Sequence, residues 1–180
     1  LSAQQARADE RAVDQHRQLR RQWLGPGDAQ PLHDVLQAAS QRLHVSLFGL
    51  VEYTGTFPER SVQSWLDALD GVRVPPFEAG FDTVATFGGQ GNPLVLRTRD
   101  PALAAGVREL HGAVGRALAD SGERLKWSSD EPHMTVSYRG SRIGDAAMAP
   151  IRWTVREFAL IDSHVGAHIH EVLASWPLRG

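Results

Sequence analysis

The sequence predicts an α+β domain built mainly from antiparallel strands. Two long helices stand among strand-like stretches, in the order strand, helix, strand, strand, helix, strand, strand, strand, which departs from the regular alternation of a parallel α/β fold. One four-residue pattern occurs twice, as His44-Val45-Ser46-Leu47 and His133-Met134-Thr135-Val136, with the histidines 89 residues apart and one copy in each half. The chain has 180 residues, 42% of them hydrophobic and 22% charged, enough for one domain with its own core.

The elements follow in order. Residues 1–24 are rich in Ala, Gln, Arg, Asp and Glu and favour helix. Val13, Leu19 and Trp23 are the main apolar anchors, so this helix is expected to be exposed and to pack at its C-terminal end. Arg17, Arg20 and Arg21 either line a solvated face or touch RNA. Gly25-Pro26-Gly27 breaks the segment, and residues 31–41 form a short helix with Leu32, Val35, Leu36 and Ala39 on one side. Residues 1–41 are thus expected to be a helical segment packed on a domain of residues 42–180.

Residues 42–52 form the first motif strand, apolar on both faces and therefore expected in a central, covered position. Thr56 and Glu59 have the spacing of a capping box. Val62, Trp65, Leu66 and Leu69 then recur at helical spacing up to Gly71, a helix packed on a sheet. Residues 77–88 and 93–99 alternate as strands around Gly88-Gly89-Gln90-Gly91-Asn92, which reads as a hairpin loop. Without a following lysine–Ser/Thr or helix, that glycine run does not match a phosphate loop. Asp100-Pro101 opens the clearest helix, with Leu103, Val107, Leu110, Val114 and Leu118 as its buried stripe and Gly122 as its stop. Residues 132–139 form the second motif strand, Ser141–Ala149 a loop, and residues 152–162 and 168–176 two antiparallel strands joined around Gly166.

Composition excludes several classes. There is no cysteine, hence no disulfide, thiolate nucleophile or cysteine metal site. The net charge of −2 gives no overall field for nucleic acid, so any RNA site is a local patch. Lys126 is the only lysine; the arginine bias suits phosphate binding, but a GC-rich genome explains it more simply. No apolar run approaches the roughly 20 residues of a membrane span. The N-terminus lacks an apolar signal core, and a cytoplasmic protein is expected.

The two motifs carry the chemistry. Alternate side chains of a strand share a face, so His44 projects with Ser46, and His133 with Thr135. An imidazole beside a hydroxyl, present twice, is what a symmetric phosphate site needs. Histidine titrates near neutral pH and serves as base or acid. A hydroxyl can donate to a phosphoryl oxygen on which charge builds. Phe48 shares the face of His44 and Ser46 and either stacks on a base or packs in the core; Tyr53, Trp127 and Trp153 present the same alternatives. Arg139, beside Tyr138 just after the second motif, either binds a second phosphate or is a surface arginine. His164, His168 and His170 cluster near the C-terminus with Asp162. A metal site there lacks a clear third carboxylate, and a pair facing solvent or lining the site fits better.

The two motifs at this spacing resemble the duplicated histidine–x–Ser/Thr–apolar motif of the two-histidine (2H) phosphoesterase superfamily, which includes 2′-5′ RNA ligase-like and 2′,3′-cyclic nucleotide phosphodiesterase proteins. Phe158-Ala159-Leu160-Ile161-Asp162-Ser163 and Val172-Leu173-Ala174-Ser175-Trp176-Pro177-Leu178 resemble the closing strands of that fold, and the likeness spans residues 43–180. It implies a bilobal pair of mainly antiparallel sheets with a central cleft, flanking helices and a pseudo-twofold axis. The chain departs from the family before residue 40, where helices stand in place of a first strand.

The resemblance also implies the activity: metal-independent, cofactor-free hydrolysis of 2′,3′-cyclic phosphates on RNA 3′ ends or small cyclic nucleotides, usually to the 2′-phosphate. His44 and His133 would be the catalytic acid and base, in either order. Ser46 and Thr135 would bind the phosphate, and Phe48, Tyr138 and Arg139 are further candidate substrate contacts. No metal ligand, membrane or partner subunit is implied, and a monomer is expected. A 2′-5′ RNA ligase would use the same residues. A binding module with little turnover would not need the second histidine.

Overall fold

The computed structural model describes residues 43–87, 92–122, 125–137, 142–164 and 169–180. The helices expected within residues 1–41, most of the glycine loop, Tyr138, Arg139 and His168 lie outside the described residues. Ten elements follow within them: β1 (Phe48–Gly49), α1 (Glu59–Leu69), β2 (Phe77–Thr86), β3 (Leu94–Arg97), α2 (Pro101–Asp120), β4 (Trp127–Ser128), β5 (His133–Ser137), β6 (Ala146–Val155), β7 (Glu157–His164) and β8 (Ile169–Pro177). The protein is α+β, with mainly antiparallel strands and two helices. The strands make one four-stranded sheet, ordered β5-β3-β2-β6, and two ribbons, β1-β4 and β7-β8.

Helix α2 follows its sequence closely. The Asp100 carboxylate accepts from the Ala102 N–H at 2.9 Å, and Pro101 occupies the first turn. Leu103, Val107, Leu110, Val114 and Leu118 are buried, as their spacing predicts. Gly106 allows α2 to lie close on the sheet, because a Cβ there would run into the Phe77 ring. Gly122, just beyond the helix, takes φ +75°, a conformation that favours glycine. Helix α1 buries Val62, Trp65 and Leu69. These join Leu110, Val114 and Leu118 of α2, and Leu160, Trp176 and Leu178, in one core cluster.

Four expectations are corrected. The first motif strand is far shorter than residues 42–52: only Phe48–Gly49 form a ladder, residues 43–50 are half-buried, and residues 51–56 are exposed. Its apolar run is edge-covered rather than central. The capping box is absent: α1 begins at Glu59 with Pro58 before it, and no side chain caps it. Glu59 therefore occupies the first helical position, not the third from a Thr56 cap. The Ser141–Ala149 loop is partly strand, since β6 starts at Ala146 and pairs with β2 through a register shift between Phe81 and Thr83. Finally, the strand expected over 152–162 is two strands. Arg156 separates β6, which pairs with β2, from β7, which pairs with β8. Its carbonyl accepts from the Leu178 N–H at 2.7 Å. No described helix is long and apolar enough to cross a membrane.

Candidate active site

The second motif lies in strand β5, whose pairing shifts register at Val136. Strand β5 pairs antiparallel with β3, placing Arg97 opposite His133, Leu96 opposite Met134 and Val95 opposite Thr135. His133 is half-buried. Its Nδ1 lies 3.1 Å from the Glu131 backbone carbonyl. A carbonyl only accepts, so Nδ1 carries the proton in that bond and Nε2 of the neutral ring presents its lone pair. The ring meets Phe87 edge to face, with centroids 4.9 Å apart at 62°. Burial is the larger cause holding the His133 pKa below the ordinary histidine value, and the Arg97 charge adds to it.

The first motif is held differently. His44, Val45 and Ser46 precede β1 and lie outside any strand. The His44 ring packs edge-on against His170 of β8, centroids 4.9 Å apart at 65°. Further along, the Tyr53 hydroxyl donates to Asp162 Oδ2 of β7 at 2.6 Å, so the β7–β8 ribbon touches this segment twice. That bond is the first cause raising the Tyr53 pKa, because it favours the protonated phenol beside a carboxylate.

Backbone bonds tie the first motif to the segment that leads into the second. The Leu47 carbonyl, at the end of the first motif, accepts from the Ser129 N–H at 2.8 Å, and the Gly49 carbonyl from the Lys126 N–H at 2.8 Å. His133 is four residues beyond Ser129, a span of at most roughly 14 Å of extended chain.

The remaining candidates separate. Phe48 stacks on His111 of α2, centroids 4.4 Å apart at 10°, and packs against the core, so its ring serves the fold. Trp153 packs on Phe81 at 5.0 Å. Trp127 is exposed and its indole lies over Gly49, where a Cβ would strike it. Among the described residues no group of three or more His, Cys, Asp or Glu is arranged to hold a metal ion. His164 instead lies 3.5 Å from Asp162 and 3.7 Å from Glu171.

This fold, with a histidine–hydroxyl motif on each of two segments joined by backbone bonds, can be set beside known proteins. The sequence profile of the 2'-5' RNA ligase superfamily matches residues 7–167. The chain belongs to this superfamily of 2H phosphoesterases. Among solved structures, Escherichia coli LigT in its apo form is 20% identical with a TM-score of 0.65, covering 93% of this chain and 91% of LigT. LigT complexed with 3'-AMP is 20% identical with a TM-score of 0.63, covering 92% and 90%. TT0787 of Thermus thermophilus is 22% identical with a TM-score of 0.58, covering 95% and 93%. These likenesses establish a shared fold. No curated protein sequence matches the chain.

The superfamily motif directs attention to His44, Ser46, His133 and Thr135. The structure adds the neighbours that hold the histidines: Glu131, Phe87 and Arg97 for one, His170 for the other. Only His170 stood out in the sequence, through its His-x-His pattern. Phe87, Arg97 and Glu131 reach His133 through strand pairing and a turn that no local pattern marks.

Proposed function

We propose that this protein is a metal-independent phosphodiesterase that hydrolyses 2′,3′-cyclic phosphates of RNA ends or nucleotides. His133 is the base and His44 the acid. Water loses its proton to His133 Nε2 as it attacks phosphorus, and His44 protonates the departing ribose oxygen. Ser46 and Thr135 donate to the non-bridging oxygens while charge builds on them. The 3′ oxygen leaves and the 2′-phosphate remains.

The observation that carries this reading is the environment of His133. A base must be neutral at working pH with an open lone pair. Burial and Arg97 disfavour the imidazolium, and the Glu131 carbonyl fixes the proton on Nδ1. The 3'-AMP complex of LigT, a nucleotide carrying a 3′-phosphate, supports a nucleotide substrate for this fold.

The test is turnover of 2′,3′-cyclic mononucleotides by wild type, His44→Ala and His133→Ala, with the product read by phosphorus NMR. Loss in both variants and a single 2′-phosphate product are expected. Turnover retained by either variant overturns the two-histidine mechanism. The superfamily's description favours a second reading, ligation of RNA ends through a 2′-5′ linkage. An RNA ending in a cyclic phosphate, supplied with a second strand bearing a 5′ hydroxyl, separates them: joined product marks the ligase. Bound but unchanged RNA marks a binding module.

A further inference from the structure

Neither motif includes Arg97, yet it stands opposite His133 in the β3–β5 ladder. Side chains of directly paired residues project on the same face, so guanidinium and imidazole are neighbours. Phe87 touches both. The Arg97 guanidinium carbon lies 5.9 Å from the Phe87 ring centroid, and the same ring meets His133 at 4.9 Å. These three side chains form one packed group.

The guanidinium is anchored at both ends. One terminal nitrogen donates to the Glu131 carboxylate, and the other lies 3.7 Å from Asp145 Oδ1. Asp145 is itself paired with Arg99. Arg97 Nε is buried and has no hydrogen-bond partner among the described residues. An unsatisfied buried donor costs stability, a cost that an apolar side chain in this position avoids. Packing alone therefore does not account for an arginine here.

We propose that Arg97 is a positioning residue for His133: anchored by Glu131 and Asp145, it holds Phe87 against the imidazole and keeps a fixed positive charge beside it. The packing restricts rotation of the ring, so Nδ1–H stays on the Glu131 carbonyl. The charge opposes protonation, adding to the larger effect of burial. Both effects preserve the neutral ring with Nε2 open. Among the described residues the charged groups that bear on His133 are Arg97 from β3 and Glu131 from the preceding turn, with Asp145 and Arg99 acting through Arg97. Glu131 has two tasks. Its carbonyl accepts the hydrogen bond from the imidazole Nδ1–H, and its carboxylate tethers the arginine.

The role serves catalysis only if His133 is the base proposed above, so the test reads the imidazole as well as turnover. Nitrogen–proton NMR of the full chain would follow His133, identified by the signal lost in His133→Asn, through a pH titration. Wild type, Arg97→Met, Arg97→Gln, Arg97→Lys and Glu131→Gln are compared, alongside the pH profile of kcat/KM on a 2′,3′-cyclic mononucleotide. Removing the charge, with Met or Gln, is expected to raise the His133 midpoint and to carry the acid limb of kcat/KM with it. Lys keeps the charge without the planar two-ended clamp, so it leaves the midpoint near wild type and mixes the two tautomers. Glu131→Gln, on an exposed turn, loosens the tether, and with it the clamp on the ring, while the Arg97 charge remains: the tautomers mix and the midpoint does not rise. An unchanged midpoint and tautomer in Met or Gln overturns the proposal. So does an equal rise in Lys, which would assign the effect to packing alone. If the imidazole responds as expected but wild type turns over no cyclic phosphate, the phosphodiesterase reading fails while the positioning of His133 by Arg97 stands.

Discussion

His133 stands in a five-residue strand of the four-stranded sheet, whereas His44 precedes a ladder of only two residues. The same short motif is therefore held in two ways. Around His133 the backbone does most of the holding: the register with β3 sets the neighbours, and a main-chain carbonyl fixes the proton. Around His44 the main-chain bonds lie further along, at Leu47 and Gly49, while the His170 ring packs on the imidazole and the Tyr53–Asp162 bond lies beyond, both reaching in from the β7–β8 ribbon. A duplicated sequence thus does not give duplicated mechanics. The His133 arm is pre-set by the sheet, while the His44 arm depends on a ribbon whose outer residues, including Ile169 and Val172, are exposed. Local opening is expected to begin on the His44 side.

The largest effects test whether both arms are needed. His44→Ala and His133→Ala should each lower kcat/KM by about 10²–10⁴, the usual worth of a positioned acid or base. The double variant should lose little beyond the worse single one, because the two act as a unit. A His44→Ala variant near wild-type activity would break the comparison outright, leaving one working arm. Ser46→Ala and Thr135→Ala should each cost about 10²–10³ if their hydroxyls stabilise the charged phosphoryl oxygens. An unchanged kcat in either would remove that residue from the site.

A smaller effect is visible in pH. His133 must be neutral to act as base, so activity falls as pH drops through its pKa. That pKa is lowered, and the acid limb of kcat/KM is therefore expected below the ordinary histidine value of 6.5. Stability has the same sign. The unfolded chain takes up this proton near pH 6.5 and the folded chain only at lower pH. The contribution from His133 is thus complete above pH 6.5 and declines as pH falls toward the folded pKa. Denaturant midpoints measured across pH 5–7 in wild type and His133→Asn would isolate it. A midpoint difference that does not vary with pH would mean His133 is not perturbed.

Much of this could be read in the chain beforehand. Helix α2 was legible because Asp100-Pro101, a regular apolar stripe and Gly122 all agree. The motifs were legible because their residue types are rare in that pairing and recur. Strand β4 was not, since Trp127-Ser128 is too short to show a period. The break at Arg156 shows in the sequence only as a one-residue slip in the alternation, from Ile151, Trp153 and Val155 to Phe158 and Leu160, while the pairing partner changes from β2 to β8. The length of the first motif strand was overread from apolar content, which half-burial beside a short ladder satisfies equally well. The groups around His133 depend on contacts between residues 87, 97, 131 and 133, and nothing in the separate segments announces that they meet.

The smallest expected effect concerns His170, and it sharpens the comparison most. If its ring serves to steady His44, the contact is an edge-to-face pair of the kind worth about 0.5–1.5 kcal/mol. His170→Ala should then lower kcat about two- to tenfold with KM nearly unchanged. His170→Phe keeps an aromatic edge in place and should recover most of the loss. A metal role predicts otherwise: neither Ala nor Phe ligates, so both would fail alike, and exhaustive chelation of wild type would reproduce their defect with zinc restoring it. Recovery by Phe together with indifference to chelator would show that the His44 arm is held by packing, in contrast to the backbone bond that holds His133. Failure of Phe without any response to chelator would mean that the imidazole nitrogens of His170 are used, and the His44 arm would then contain a second polar group rather than a support.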